Sequence, residues 1–141
     1  MSWLPKQRVV VPVDFSEHSR EGARVARQLV ADPSALHVVH VLPSLHAGDP
    51  GVVWGQVEDD HRAENVRAEI ARQFGDLVAG AQVHVRFGSP GAEIAELADA
   101  IGAELVVVSS HGRTGLKRLA LGSVAEKLIR LCHCPVLVLR G

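Results

Sequence analysis

Residues 8–16 read RVVVPVDFS, and this stretch decides the fold class. Arg8 is followed by three valines, a proline and a fourth valine, apolar almost without alternation. A strand with one wet face alternates apolar and polar residues, whereas a strand buried on both faces of a parallel sheet does not. Pro12 lacks a donor N–H and is tolerated where ladder bonding stops. Ser16 fits as the N-cap of a helix over 17–31, in which Ala23, Ala26, Leu29 and Val30 share one stripe.

Outward from this unit the pattern repeats. Asp32-Pro33-Ser34 breaks the helix, and 36–42 (LHVVHVL) predicts a second strand. Residues 43–55 form a loop rich in Gly and Pro that carries Val52, Val53 and Trp54. A helix is expected over 58–79, with Val66, Ile70, Phe74 and Leu77 at helical spacing, then a short strand over 83–87. Ser89-Pro90 supplies an N-cap and a proline at the first helical position, and that helix runs to Ile101 before Gly102 ends it. Residues 105–109 (LVVVS) are a fourth strand, 111–121 a loop rich in Gly and basic residues. Ser123 opens a last helix to about 131, and Pro135 to Leu139 (PVLVL) forms the final strand. Strands alternating with helices over short connections specify crossover units. The expected fold is α/β, one domain over residues 1–141, a doubly wound five-stranded parallel sheet.

The composition narrows the function. With 141 residues, 47% of them hydrophobic and 22% charged, the chain has material for one full core. Lys plus Arg is 15 and Asp plus Glu is 16, a net charge of −1. Neither nucleic acid nor an anionic membrane surface is an expected partner, since both call for a basic excess. Residues 1–7 lack the apolar core of a signal peptide, and no apolar run in the sequence has the length of a membrane span. The 2 cysteines, Cys132 and Cys134, stand too close together to staple distant segments, so the expected location is the cytoplasm.

Open α/β sheets bind ligands beyond the carboxyl ends of their strands, where strand order reverses. That rule directs attention to 13–16, 41–44, the stretch after Phe87 and, above all, 109–124. Neither GxxxxGK[ST] nor a GxGxxG after the first strand is present, which argues against a P-loop kinase or a dinucleotide dehydrogenase. The run SSHGRTGLKRLALGS over 109–123 reads instead as another phosphate cradle. Gly112 lets backbone approach an anion, Gly122-Ser123 stands where a helix begins, and Arg113, Lys117 and Arg118 add positive charge. The same residues also permit a plainer reading. Ser123 and Glu126 have the spacing of a capping box, and the glycines and cations suit a solvated turn.

The run 12–16 (PVDFS), His40-Val41, SSHGRTGLKRLALGSVAEKLIR from Ser109 and the terminal CPVLVLR together resemble the universal stress protein family over nearly the whole chain. The family signature is Gly-x2-Gly-x9-Gly-Ser/Thr. Here Gly112, nine intervening residues and Gly122-Ser123 match it, while Ser109 stands at the first glycine. The resemblance implies an adenine nucleotide alpha hydrolase-like fold with strand order 3-2-1-4-5. It implies adenosine contacts at Pro12, Asp14 and the main chain of Val13 and Val41, with Val108 and Ser109 lining ribose and adenine. Phosphate contacts are implied at Gly112, Arg113, Gly122, Ser123 and Val124. The ligand would be ATP or AMP, with Mg at the phosphates, and the role a stress-response regulatory module. Family members that bind no nucleotide keep a rival reading open, an interaction protein working through its dimer surface, and a slow ATPase is a third. Ser109 favours the rival, because its added Cβ is expected to crowd the ligand; the Gly122-Ser123 end favours binding. A homodimer through Pro135 to Leu139 is also implied, and agrees with a terminal strand at an open sheet edge.

Other residues are set aside. His37, His40 and His84 fall in predicted strands and His18 and His61 on helices, without ligand spacing. Cys132-His133-Cys134 has neither the four ligands nor the intervals of a structural zinc site, so no metal is expected there. No GxSxG or HExxH is present, and no catalytic residue is assigned.

Overall fold

The computed structural model of the protein describes residues 3–44, 55–110 and 121–140. Strand β1, Val9–Pro12, lies at the centre of a five-stranded parallel sheet with β2 (Leu36–Leu42), β3 (Gln82–Phe87), β4 (Leu105–Ser109) and β5 (Val136–Leu139). The order is β3-β2-β1-β4-β5, so the expected doubly wound topology is present. The uninterrupted valines of β1 have their reason here. Val9 and Val11 pack under helices α1 (Glu17–Leu29) and α2 (Gly55–Phe74), while Val10 packs on the other face with α3 (Pro90–Ile101) and α4 (Ser123–Leu131). All three valines have no exposed surface.

Two helix ends depart from the sequence expectation. Helix α1 stops at Leu29 rather than running to residue 31. The Lys6 N–H donates to the Leu29 carbonyl and the Ala31 N–H donates to Lys6, both at 2.9 Å, so the N-terminal segment draws the chain out of the helix. Helix α2 ends at Phe74, and a 3-10 turn over Gly75–Val78 carries the last stripe residues. Gly75, at φ 47°, takes the left-handed conformation at that junction. At the end of α3, Gly102 is the left-handed cap the sequence predicts, at φ 67°.

Candidate functional site

At the carboxyl ends of β1 and β4, where strand order reverses, the chain encloses a cleft of about 260 Å³. Pro12, Val13 and Asp14 line it from β1, Val41 from β2, Val108 and Ser109 from β4, and Gly122, Ser123 and Val124 from the start of α4. The topology thus gathers candidate residues from four separate parts of the sequence. Gly112 and Arg113, with His111, Lys117 and Arg118, lie outside the described residues, as do Val52, Val53 and Trp54. The cleft also has walls that sequence reading did not propose as site residues, among them Ser19, His40, Ile94 and Ser110. Ile94 shows only as a core position in the helical pattern, and a polar residue in a strand gives no sign of which face it serves.

A closed set of hydrogen bonds fixes Asp14. Its Oδ1 accepts from the Ser16 hydroxyl at 2.6 Å and from the Ser16 N–H at 3.1 Å. Ser16 Oγ in turn caps α1 by accepting from the Ser19 N–H at 3.1 Å, and Ser19 Oγ accepts from the Asp14 N–H at 2.9 Å. Phe15, between them, sits at φ 68°, a conformation that costs a bulky residue free energy. Its ring is held against His40 and Phe74, with centroids 5.0 and 6.3 Å away. His40 Nδ1 lies 2.6 Å from the Val13 carbonyl. A carbonyl only accepts, so Nδ1 carries the proton. The Val13 N–H donates to Val39, at 2.8 Å, which leaves the second lone pair of its carbonyl as the main-chain group open to a ligand.

The Ser109 hydroxyl donates to the His18 carbonyl at 2.6 Å and so turns toward α1, while the residue itself lines the cleft. The cause is the strand period: Leu105 and Val107 face α1, Val106 and Val108 face α3 and α4, and Ser109 follows the first set. The capping-box reading of Ser123 is corrected. The N-cap is Gly122, which accepts from the Glu126 N–H at 3.0 Å, and no side chain caps the helix. Ser123 is the first helical residue, so the orphan N–H groups of α4 face the cleft without a competitor from the helix's own cap.

The model for the "Universal stress protein family" matches residues 6–140. The chain belongs to the universal stress protein family. A universal stress protein of Methanocaldococcus jannaschii is 33% identical over 145 residues, covering 95% of this chain and 82% of that protein. Among solved structures, a universal stress protein in complex with cAMP superposes with a TM-score of 0.69 at 26% identity, covering 96% and 97% of the two chains. The Archaeoglobus fulgidus universal stress protein in complex with dAMP gives 0.59 at 25% identity, covering 96% and 98%.

Away from the cleft, this universal stress protein brings together residues that its sequence scatters. His37 Nδ1 and His84 Nε2 are 3.0 Å apart with rings stacked. Burial holds both imidazoles below the ordinary histidine range; Arg8 adds to this at His37, and His37, Arg86 and Arg67 add to it at His84. Cys132 and Cys134 pack against the α3–α4 core, and burial pushes the Cys132 thiol up to about 11. His133 Nδ1 lies 3.0 Å from Asp99 Oδ1 at the surface. Among the described residues no three His, Cys, Asp or Glu side chains converge as metal ligands, and no helix is long and apolar enough to cross a membrane.

Proposed function

We propose that this universal stress protein binds an adenine nucleotide, ATP or AMP, in the β1–β4 cleft and serves as a regulatory module of the stress response. The observation that carries the reading is the cleft itself, placed at the switch point and gathering Pro12, Val13, Asp14, Val41, Val108, Ser109 and the start of α4. The cAMP and dAMP held by two relatives support an adenine ligand. Val13, Val41 and Val108 offer apolar walls to a base, and Asp14, aligned by Ser16, offers a carboxylate to a ribose hydroxyl or an adenine amine. Phosphate would meet the uncapped N-terminus of α4 at Gly122, Ser123 and Val124, where free N–H groups and the positive helix end favour an anion. A Mg ion arriving with ATP neutralises phosphate charge. Its oxygen ligands would come chiefly from phosphate and water, with Asp14 the nearby carboxylate.

The same proposal includes a homodimer through β5. This strand is at the sheet edge, and Leu137 on it and Ile129 and Leu131 on α4 are exposed apolar side chains. Two copies pairing β5 antiparallel across a twofold axis would cover that edge.

Denaturation of the purified protein by urea, alone and with AMP or ATP and magnesium, tests the binding. A ligand specific for the folded state at a hundred times its Kd adds about 2.7 kcal/mol to stability. A midpoint moved by neither nucleotide would favour the interaction-protein reading.

A further inference from the structure

The side chain of Ser110 is the buried polar group that the cleft leaves unanswered. Ser110 is 4% exposed, and among the described residues its hydroxyl has no hydrogen-bond partner. Its main chain is fully engaged: the N–H donates to Leu139 and the carbonyl accepts from the Gly122 N–H, each at 2.8 Å. The side chain lines the cleft, as the strand period requires, since Val108 two residues earlier faces α3 and α4. Buried hydroxyls are nearly always hydrogen-bonded, and an unpaired one in a folded protein points to something that completes it.

The bond to Gly122 fixes where the hydroxyl stands. Gly122 is the N-cap of α4, so Ser110 is tied directly to the residue at which the uncapped helix begins. A neutral O–H donor and the N–H donors of the uncapped helix start thus share one corner, and Asp14 is the only acidic side chain among the described residues that line the cleft. That combination suits an oxyanion, which accepts from both kinds of donor. Resting on the nucleotide-binding reading, we infer that the Ser110 hydroxyl is a ligand contact that donates to a phosphoryl oxygen of the bound nucleotide, acting with the α4 N-terminus rather than as part of the fold. The hydroxyl is then kept at a cost to the unliganded protein, in which, among the described residues, it is a buried donor without an acceptor.

Titration calorimetry of wild type and Ser110→Ala with AMP and with adenosine, together with urea denaturation of both proteins without ligand, tests this. The expected result is AMP affinity lowered about tenfold, the scale of one hydrogen bond to a charged group, with adenosine affinity unchanged. The unliganded variant should unfold at the same urea concentration as wild type or a higher one. Unchanged AMP affinity in the variant, or equal losses for AMP and adenosine, would overturn the phosphoryl contact. A lower unfolding midpoint for the unliganded variant would overturn it too, because the hydroxyl would then be serving the fold. If wild type binds neither ligand, the nucleotide reading itself fails, and this assignment with it.

Discussion

Asp14 and Ser16 are joined by two hydrogen bonds, both accepted by Asp14 Oδ1, from the Ser16 hydroxyl at 2.6 Å and the Ser16 N–H at 3.1 Å. The pair aligns a carboxylate at the cleft and simultaneously orients the hydroxyl that caps α1. One residue thus serves both site and fold. Replacing Asp14 with Ala should therefore lower stability by about 1–2 kcal/mol, through the loosened cap and the released turn at Phe15. It should also weaken AMP binding. Urea denaturation and calorimetry on the same preparation would register both losses, and a variant that loses affinity alone would separate the two roles.

Ser109→Ala should lower stability and, unlike Asp14→Ala, leave the site's affinity in place. Its hydroxyl serves the His18 carbonyl, 91 positions away in the chain. Stability should fall by about 1 kcal/mol, while nucleotide affinity stays within about a factor of two, less than the loss of one net hydrogen bond. Ser109→Gly, which also removes the Cβ expected to crowd the ligand, should tighten AMP binding in calorimetry; unchanged or weaker binding would count against that crowding.

Gly122→Val should abolish nucleotide binding in a protein that still folds. Gly122 has φ −61° and ψ 151°, extended backbone open to any residue, so the substitution adds no backbone strain. A branched side chain would instead occupy the corner where the α4 N–H groups meet the cleft. Circular dichroism should be unchanged and calorimetry should show no heat of binding; retained affinity would move the phosphate site elsewhere.

The His37–His84 contact should make stability depend on pH. Both imidazoles are held below their ordinary range, first by burial, and Arg8, Arg67 and Arg86 also disfavour a positive charge there. Below the unfolded-state value of about 6.5, the unfolded chain binds protons that the folded chain resists. Stability from this pair is therefore complete above about pH 6.5 and declines as pH falls below it. Thermal unfolding from about pH 7.5 down to about pH 5.5 should show that decline, and His37→Gln/His84→Gln should flatten it. Parallel curves would place the proton uptake elsewhere.

Val138→Pro should convert the proposed dimer to monomers without opening the sheet. The carbonyls of Pro135 and Leu139 accept from Val106 and Ser110 of β4. By the two-residue period, residues 136 and 138 direct their main-chain groups outward, so proline at 138 removes an edge donor and spares the β4 ladder. Sedimentation at micromolar concentration would register the change, and an unaltered dimer would exclude β5 from the interface.

The alternation of β1, α1, β2 and the later elements is legible in the sequence because it rests on local physics. Unbroken valines require two covered faces, and Pro90 and Gly102 fix the ends of α3 through their own backbone preferences. The position of the cleft is legible as well, since parallel strands carry their connecting turns to one end. What only the tertiary structure decided is how particular groups are used there. The direction of the Ser109 hydroxyl depends on the His18 carbonyl, the end of α1 on Lys6, and the pairing of His37 with His84 on the register between β2 and β3. The orphan hydroxyl of Ser110 depends on which face of β4 the cleft occupies. The Ser109, Lys6 and His37–His84 bonds are contacts between segments far apart in the chain, set by packing and register, and a hydrogen bond formed across space leaves no period or composition in the sequence on either side of it.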